Sequence, residues 1–296
     1  MKKKFLITIF VIFMICSITA FAGCNASSPA DSSGSNSEEI TDGNIGDNDD
    51  SEEITDGNTG DRDDSETIAS ATMTERSIAT AEIPTFKYWL YAPANACANM
   101  PLVVYLHGGS GKGDDLNQIT SVDGFPKYLK DGTLGNIEAY VIIPQLPKNL
   151  TGWINAERPL ITLINSTVSE FEIDKTNVSL VGHSMGGTGT WNMAAAHPEL
   201  FARIAPMSGS MKITPECISA LKTIPVWAFV GSADTVVPPT SSRQLVNAIV
   251  SAGGSAFLTE FDGVDHASVP AAAFLDEKLG IIDWLIGKKI KGFSPV

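Results

Sequence analysis

Cysteine and histidine are the scarce residues of this chain, four of each in 296. Cys16 and Cys24 fall in the first 24 residues, so only Cys97 and Cys217 remain for the body of the chain. Two cysteines in a domain of this size do not make a disulfide framework, and neither has the CxxC or Cys/His company of a metal or redox site. An exported domain would permit them to bond, but a bridge between Cys97 and Cys217 is not the expectation. Basic residues are also short, 20 against 34 acidic ones. From Ile68 onward the balance is 16 to 20, which leaves no basic surface for nucleic acid. Aromatic residues are absent from 25–67, and long apolar runs are absent after residue 21. That middle stretch cannot bury enough surface to offset the entropy of ordering, and a disordered tether is expected over 24–67.

What is present begins with a basic start, Met1 to Lys4, followed by the apolar Phe5 to Phe21. This is the layout of an export signal over 1–23, too short to favour a permanent spanning helix. Phe21-Ala22-Gly23-Cys24 resembles the lipobox of bacterial lipoproteins, and that resemblance implies lipidation of Cys24 and anchoring outside the cytoplasm, or secretion if no lipid is added. The tether carries a 14-residue repeat, Ser37 to Asp50 and Ser51 to Asp64, differing only at Ile45/Thr59 and Asn48/Arg62. The two copies hold 12 acidic residues and one basic one, so most of the net charge of −14 belongs to the spacer. Their Asp-Gly-Asn clusters fit no register of a calcium loop, and two polar units are too few for a solenoid.

The folded domain is expected over 68–296. Phe86 to Tyr91 alternates as an edge strand would, while Pro101 to Leu106, Tyr140 to Ile143 and Val178 to Val181 are short apolar runs typical of strands buried on both faces. Ile204 to Met207, Val226 to Val230 and Ala256 to Phe261 complete the strands. Helical patterns lie over Leu116 to Leu129, Leu160 to Phe171, Gly186 to His197, Ser241 to Ser251 and Leu279 to Ile286. Strands alternating with helices imply one α/β domain with a mostly parallel sheet, whose chemistry gathers at the carboxyl ends of the strands.

One such end carries Gly182-His183-Ser184-Met185-Gly186, a Gly-x-Ser-x-Gly pattern between an apolar strand and a small-residue helix. A serine on that turn projects its hydroxyl, and both glycines are needed because a Cβ would clash. To act as a nucleophile it needs a base, most often histidine. His107 ends a strand, His183 adjoins the serine and should point away from it, and His197 closes a helix before Pro198. His266 is left, in the loop after the last strand. Its carboxylate partner is expected to be Asp234, at the end of the strand Val226 to Val230, because Asp262 and Asp265 are too local to reach behind the ring. The order Ser184, Asp234, His266 is that of the α/β-hydrolase fold. Oxyanion donors are expected from the backbone N–H of Met185 and of Gly109 in His107-Gly108-Gly109-Ser110, with Ser110 as second choice. The same loop fails as a phosphate loop, since Leu106 and Gly113 stand where Gly and Ser/Thr are needed.

LVVYLHGGSGKGDD, NVSLVGHSMGGTGTWNMAAAHPELFARIAPMSG and the stretch from Ile224 through His266 resemble the phospholipase/carboxylesterase and predicted-peptidase branch of the α/β-hydrolases, which includes esterases of plant cell-wall polymers. The resemblance, over about Phe86 to Ile286, implies the same nucleophile, acid and base. It implies a cofactor-free, metal-free serine esterase acting on small or exposed esters, including acetyl or feruloyl groups of polysaccharide. A peptidase of short peptides and a catalytically silent surface-binding lipoprotein are the alternatives. Trp153 is a candidate to line the acyl or alcohol pocket, with a core-edge tryptophan as the other reading. The sequence sets no oligomeric state.

Overall fold

The computed structural model describes residues 70–122 and 124–290; the signal, Cys24, the tether and its repeat lie outside the described residues. Among the described residues, β1 (Thr72–Ile78), β2 (Phe86–Ala92), β3 (Leu102–Leu106), β4 (Tyr140–Pro144), β5 (Val178–His183), β6 (Arg203–Met207), β7 (Val226–Gly231) and β8 (Ala256–Phe261) form one sheet. Its order is β1-β2-β4-β3-β5-β6-β7-β8. β1 and β2 run antiparallel to their neighbours, and β4 through β8 are parallel.

Alternation along the parallel strands explains the two layers of helices. On β3, Leu102, Val104 and Leu106 face one core, and Val103 and Tyr105 face the other. The first core is closed by α3 (Glu157–Glu170), α4 (Met185–Ala196), α5 (Pro215–Leu221) and α6 (Pro239–Ser251). The second is closed by α1 (Asn117–Val122), α2 (Gly124–Lys130), α7 (Val269–Phe274) and α8 (Ile281–Leu285). Strands buried on both faces need no polar alternation, which is why β3, β4, β5 and β7 read as continuous apolar runs.

Several elements differ from the sequence reading. Phe86 to Tyr91 lies inside the sheet, and the edge is β1, whose residues TMTERSI include none that is fully buried. A strand paired on one side only, and tied down by the Arg76–Glu170 ion pair at 2.8 Å, has no apolar run to announce it. The last helix is short because Gly280, with φ 68°, breaks the chain before Ile281. Two short helices, α5 and α7, each carry proline in the first turn, and α5 is capped by Thr214, which accepts the Cys217 N–H. Cys217 is a free thiol, so it makes no bridge to Cys97.

The order of the strands places the site. After β3 the chain crosses to β4 on one side and then returns to β5 on the other, so the loops after β3 and β5 diverge and leave a crevice at their carboxyl ends. Helix α4 lies very close to the sheet there. A Cβ on Gly187 would stand 2.2 Å from the Met207 carbonyl oxygen and 3.1 Å from the Gly209 backbone, so neither neighbour is a side chain that can swing away. Gly187→Ala is therefore expected to lower stability by about 2–3 kcal/mol despite alanine's better helix propensity. Gly152→Ala, where a Cβ meets nothing within 4 Å, is the control that should leave the urea midpoint unchanged.

Candidate functional site

Ser184 follows the last residue of β5 and precedes the first of α4, with φ 58° and ψ −118°. Its N–H donates to the Met207 carbonyl at 2.9 Å, and its own carbonyl accepts the Thr188 N–H at 2.9 Å. This non-glycine residue in the left-handed half of φ is held by bonds on both sides. The turn passes so near the end of β3 that a Cβ on Gly186 would lie 1.8 Å from the Leu106 carbonyl oxygen, and one on Gly182 would lie 2.6 Å from that of Gly186. Both flanking glycines of the motif are thereby explained by close approach.

The hydroxyl so projected meets an imidazole. Ser184 Oγ lies 2.8 Å from His266 Nε2, and His266 Nδ1 lies 2.8 Å from Asp234 Oδ2. With Asp234 as acceptor, Nδ1 carries the proton and Nε2 accepts from the serine hydroxyl. Asp234 stands just beyond β7, and its side chain is closed off from solvent. Its other oxygen accepts the N–H groups of Val236 and Val237, each at 2.9 Å. Burial alone would raise its pKa; the His266 N–H, the Val237 N–H, the Ser208 hydroxyl and the Val236 N–H outweigh it and hold the carboxyl below its ordinary range. Ser208, wholly buried at the end of β6, favours the carboxylate's charge without reaching full hydrogen-bond geometry. The rival acids are engaged elsewhere: Asp265 accepts the Ser268 N–H at 2.9 Å, and Asp262 accepts the Ser232 hydroxyl at 3.2 Å.

The structure thus brings Ser184, Asp234 and His266 together from the ends of β5, β7 and β8. Met185 opens α4 and Gly109 opens a short 3-10 turn, Gly109–Gly111, so both N–H groups belong to first turns that lack a partner inside the helix. Gly108, Gly109 and Ser110 line a cleft of about 340 Å³ together with Gly124, His183, Ser184, Val236, His266, Ala267 and Pro270.

Solved structures share this arrangement of sheet and helices. A thermostable esterase is 25% identical, with a TM-score of 0.60 over 72% of this chain and 62% of that one. The feruloyl esterase module from Clostridium thermocellum, at 16% identity, matches with a TM-score of 0.57 over 75% of this chain and 90% of that one. The chain has the α/β-hydrolase fold. The family model described as "Putative esterase" matches residues 159–269. The "Putative esterase NocK" of Nocardia uniformis subsp. tsuyamanensis is 26% identical over 57% of this chain and 51% of its own length. The bifunctional acetylxylan esterase/xylanase XynS20E of Neocallimastix patriciarum is 28% identical over 50% of this chain and 21% of its own. The chain therefore spans about half the length, or less, of these two curated relatives.

The other three histidines are all committed. His197 Nε2 lies 2.7 Å from Glu157, away from the cleft. His107, fully buried, accepts the Leu146 N–H on Nε2 at 3.0 Å and donates from Nδ1 to the Gly108 carbonyl at 2.6 Å, which ties the glycine loop to the chain beyond β4. His183 points its Nε2 at the His266 carbonyl, 2.8 Å away. It lines the cleft rather than turning from it, which only the tertiary packing reveals, because sequence alone shows it as the serine's neighbour.

Trp153 is not a pocket residue. It is 1% exposed, donates its indole N–H to the His107 carbonyl at 3.0 Å, sets its ring edge-on to the His107 ring, and packs against Gly189 of α4. The loop after β4 is drawn under the glycine loop by that bond, so the tryptophan supports the cleft from behind. The apolar residue of the cleft rim that sequence reasoning missed is Val236, 66% exposed.

Two of these histidines are buried, which couples stability to pH. Burial pushes His107 and His183 from 6.5 down to about 4, and the neighbouring His266 adds to the effect on His183. Unfolding returns both to their ordinary value, so below 6.5 the unfolded chain binds protons that the folded chain refuses. Their contribution is intact above that pH and is lost on the way down to about 4, at about 1.4 kcal/mol per pH unit for each histidine. Urea midpoints taken from pH 7 to 4 should fall across this window, and His183→Gln should reduce the slope.

Proposed function

We propose that this protein is a serine carboxylesterase that hydrolyses small or exposed esters through an acyl-enzyme on Ser184. The observation that carries the reading is the unbroken chain from Ser184 Oγ through His266 to Asp234, with 2.8 Å at both links, opening into the glycine-lined cleft. Ser184 Oγ attacks the ester carbonyl while His266 Nε2 takes its proton, and Asp234 stabilises the imidazolium. The N–H groups of Met185 and Gly109 receive the developing oxyanion. When the C–O bond breaks, the alcohol leaves with the proton from His266. Water then attacks the acyl carbon, His266 takes its proton and returns one to Ser184, and the acid departs.

An ester suits the cleft because its described lining has no Asp, Glu, Lys or Arg to hold a peptide's charged terminus. The relatives named as acetylxylan and feruloyl esterases favour an acyl group on a polysaccharide. Val236 stands where such an acyl or alcohol group enters. Export under the 1–23 signal and anchoring through a lipid on Cys24, with 24–67 as spacer and 68–296 as the catalytic domain, complete the proposal.

A fluorophosphonate probe should label the wild type and not Ser184→Ala; a folded wild type that resists labelling overturns the reading. p-Nitrophenyl acetate should be cleaved and aminoacyl or dipeptidyl anilides left intact, whereas fast anilide cleavage with idle ester makes the protein a peptidase. Val236→Glu should raise KM for p-nitrophenyl butyrate by about 10-fold with little change in kcat, the pattern of a lost contact common to ground and transition states. Radiolabelled palmitate should enter the full chain and not Cys24→Ala when expressed in a bacterium.

A further inference from the structure

We propose that His183 is a positioning residue that clamps the backbone of His266 and so holds the base over the nucleophile. The inference rests on the catalytic reading of Ser184, Asp234 and His266. His183 closes β5, so the same strand end that projects the serine also carries the clamp. Its Nε2–H donates to the His266 carbonyl at 2.8 Å, and the two rings lie 4.8 Å apart.

That carbonyl needs a donor from elsewhere. His266 lies in the turn before α7, two residues outside its N-cap Ser268, and the helical ladder begins only with the Ser268 carbonyl accepting the Ala272 N–H, so the helix offers the His266 carbonyl no donor. His183 supplies the missing donor across 83 residues of sequence. The base is therefore held at three points, with Asp234 on Nδ1, Ser184 on Nε2 and His183 on its backbone. The first two bonds change as the imidazole takes and returns its proton, and the third does not. The opposite nitrogen of His183 looks toward the oxyanion loop, since a Cβ placed on Gly108 would lie 3.8 Å from Nδ1. His183 thus sits between the loop that carries the base and the loop that receives the oxyanion, and it is held neutral by burial, which keeps a second positive charge away from the imidazolium that forms on His266.

His183→Gln can reach the same carbonyl with an amide N–H, and His183→Phe fills similar space with no donor. For p-nitrophenyl acetate, His183→Phe should lose about 10- to 100-fold in kcat with KM within about three-fold, because a small displacement of a reacting group costs on that scale. His183→Gln should regain most of the loss. Wild-type kcat in His183→Phe, or equal losses in two folded variants, overturns the proposal. The wild type supplies a measurement that needs no variant to fold: nitrogen-15 histidine spectra should show His183 as the neutral Nε2–H tautomer through pH 5, and an Nδ1–H tautomer overturns the clamp. Fluorophosphonate labelling of wild-type Ser184 separates the two readings. Absence of labelling ends the catalytic assignment itself, while labelled wild type with an unimpaired His183→Phe ends only the role of His183.

Discussion

The approach of α4 to the carboxyl ends of β3, β5 and β6 sets what every other part of the site must do. Backbone meets backbone at Gly182, Gly186 and Gly187, and the serine between them is left with φ 58° and a hydroxyl that has nowhere to go but outward. The Ser184 N–H is spent on Met207, which fixes the turn to β6, and Ser208 next along β6 comes to rest beside Asp234. The two strands flanking Ser184 thereby both help to build the site, β3 through the glycine loop and β6 through Ser208 beside Asp234. Unstrained backbone would let the helix ride higher, and the crevice between β3 and β5 would lose its floor.

Imidazoles carry much of the remaining polar order, and three of the four do so outside the proton relay. A buried neutral histidine offers one donor and one acceptor at opposite edges of a rigid ring, so it can join two backbone segments that no ladder connects. His107 does this between its own loop and the chain after β4, with Trp153 closing the same corner. His183 does it between β5 and the loop of the base. His107 can accept the Leu146 N–H only while uncharged, and burial keeps both rings neutral, at the expense of stability in acid. Asp234 is the opposite case. Two backbone N–H groups and an imidazole N–H hold a buried carboxylate in its charged form, whereas Asp262 and Asp265 remain at the surface as turn ligands.

Most of this arrangement was legible because the parallel strands are buried on both faces and therefore print as apolar runs, each ended by the glycine, serine or aspartate that the carboxyl edge requires. The order of Ser184, Asp234 and His266 along the chain, with one histidine left after elimination, pointed to three side chains that the fold then joins through His266, with 2.8 Å at each link. What stayed illegible has a common physical character. β1 gains its place from one neighbour and an ion pair, so no periodicity marks it. Trp153 has the same composition signal whether it lines a pocket or backs one, and the choice is made by the distant His107 carbonyl. His183 looks like a neighbour of the serine in one dimension and becomes a partner of His266 only in three.

Val236 ties the rim of the cleft to the carboxylate beneath it. Its N–H is required by Asp234, so the backbone at this position has a fixed orientation, and the side chain that follows from it stands on the rim of the cleft. Proline is excluded there, since it has no N–H to give, but other residues present the same backbone donor. The side chain on the rim is thus free to vary while the Asp234 carboxylate behind it stays bonded. A change of side chain at this position can therefore reshape the rim of the cleft without disturbing the bonds that hold Asp234 against His266.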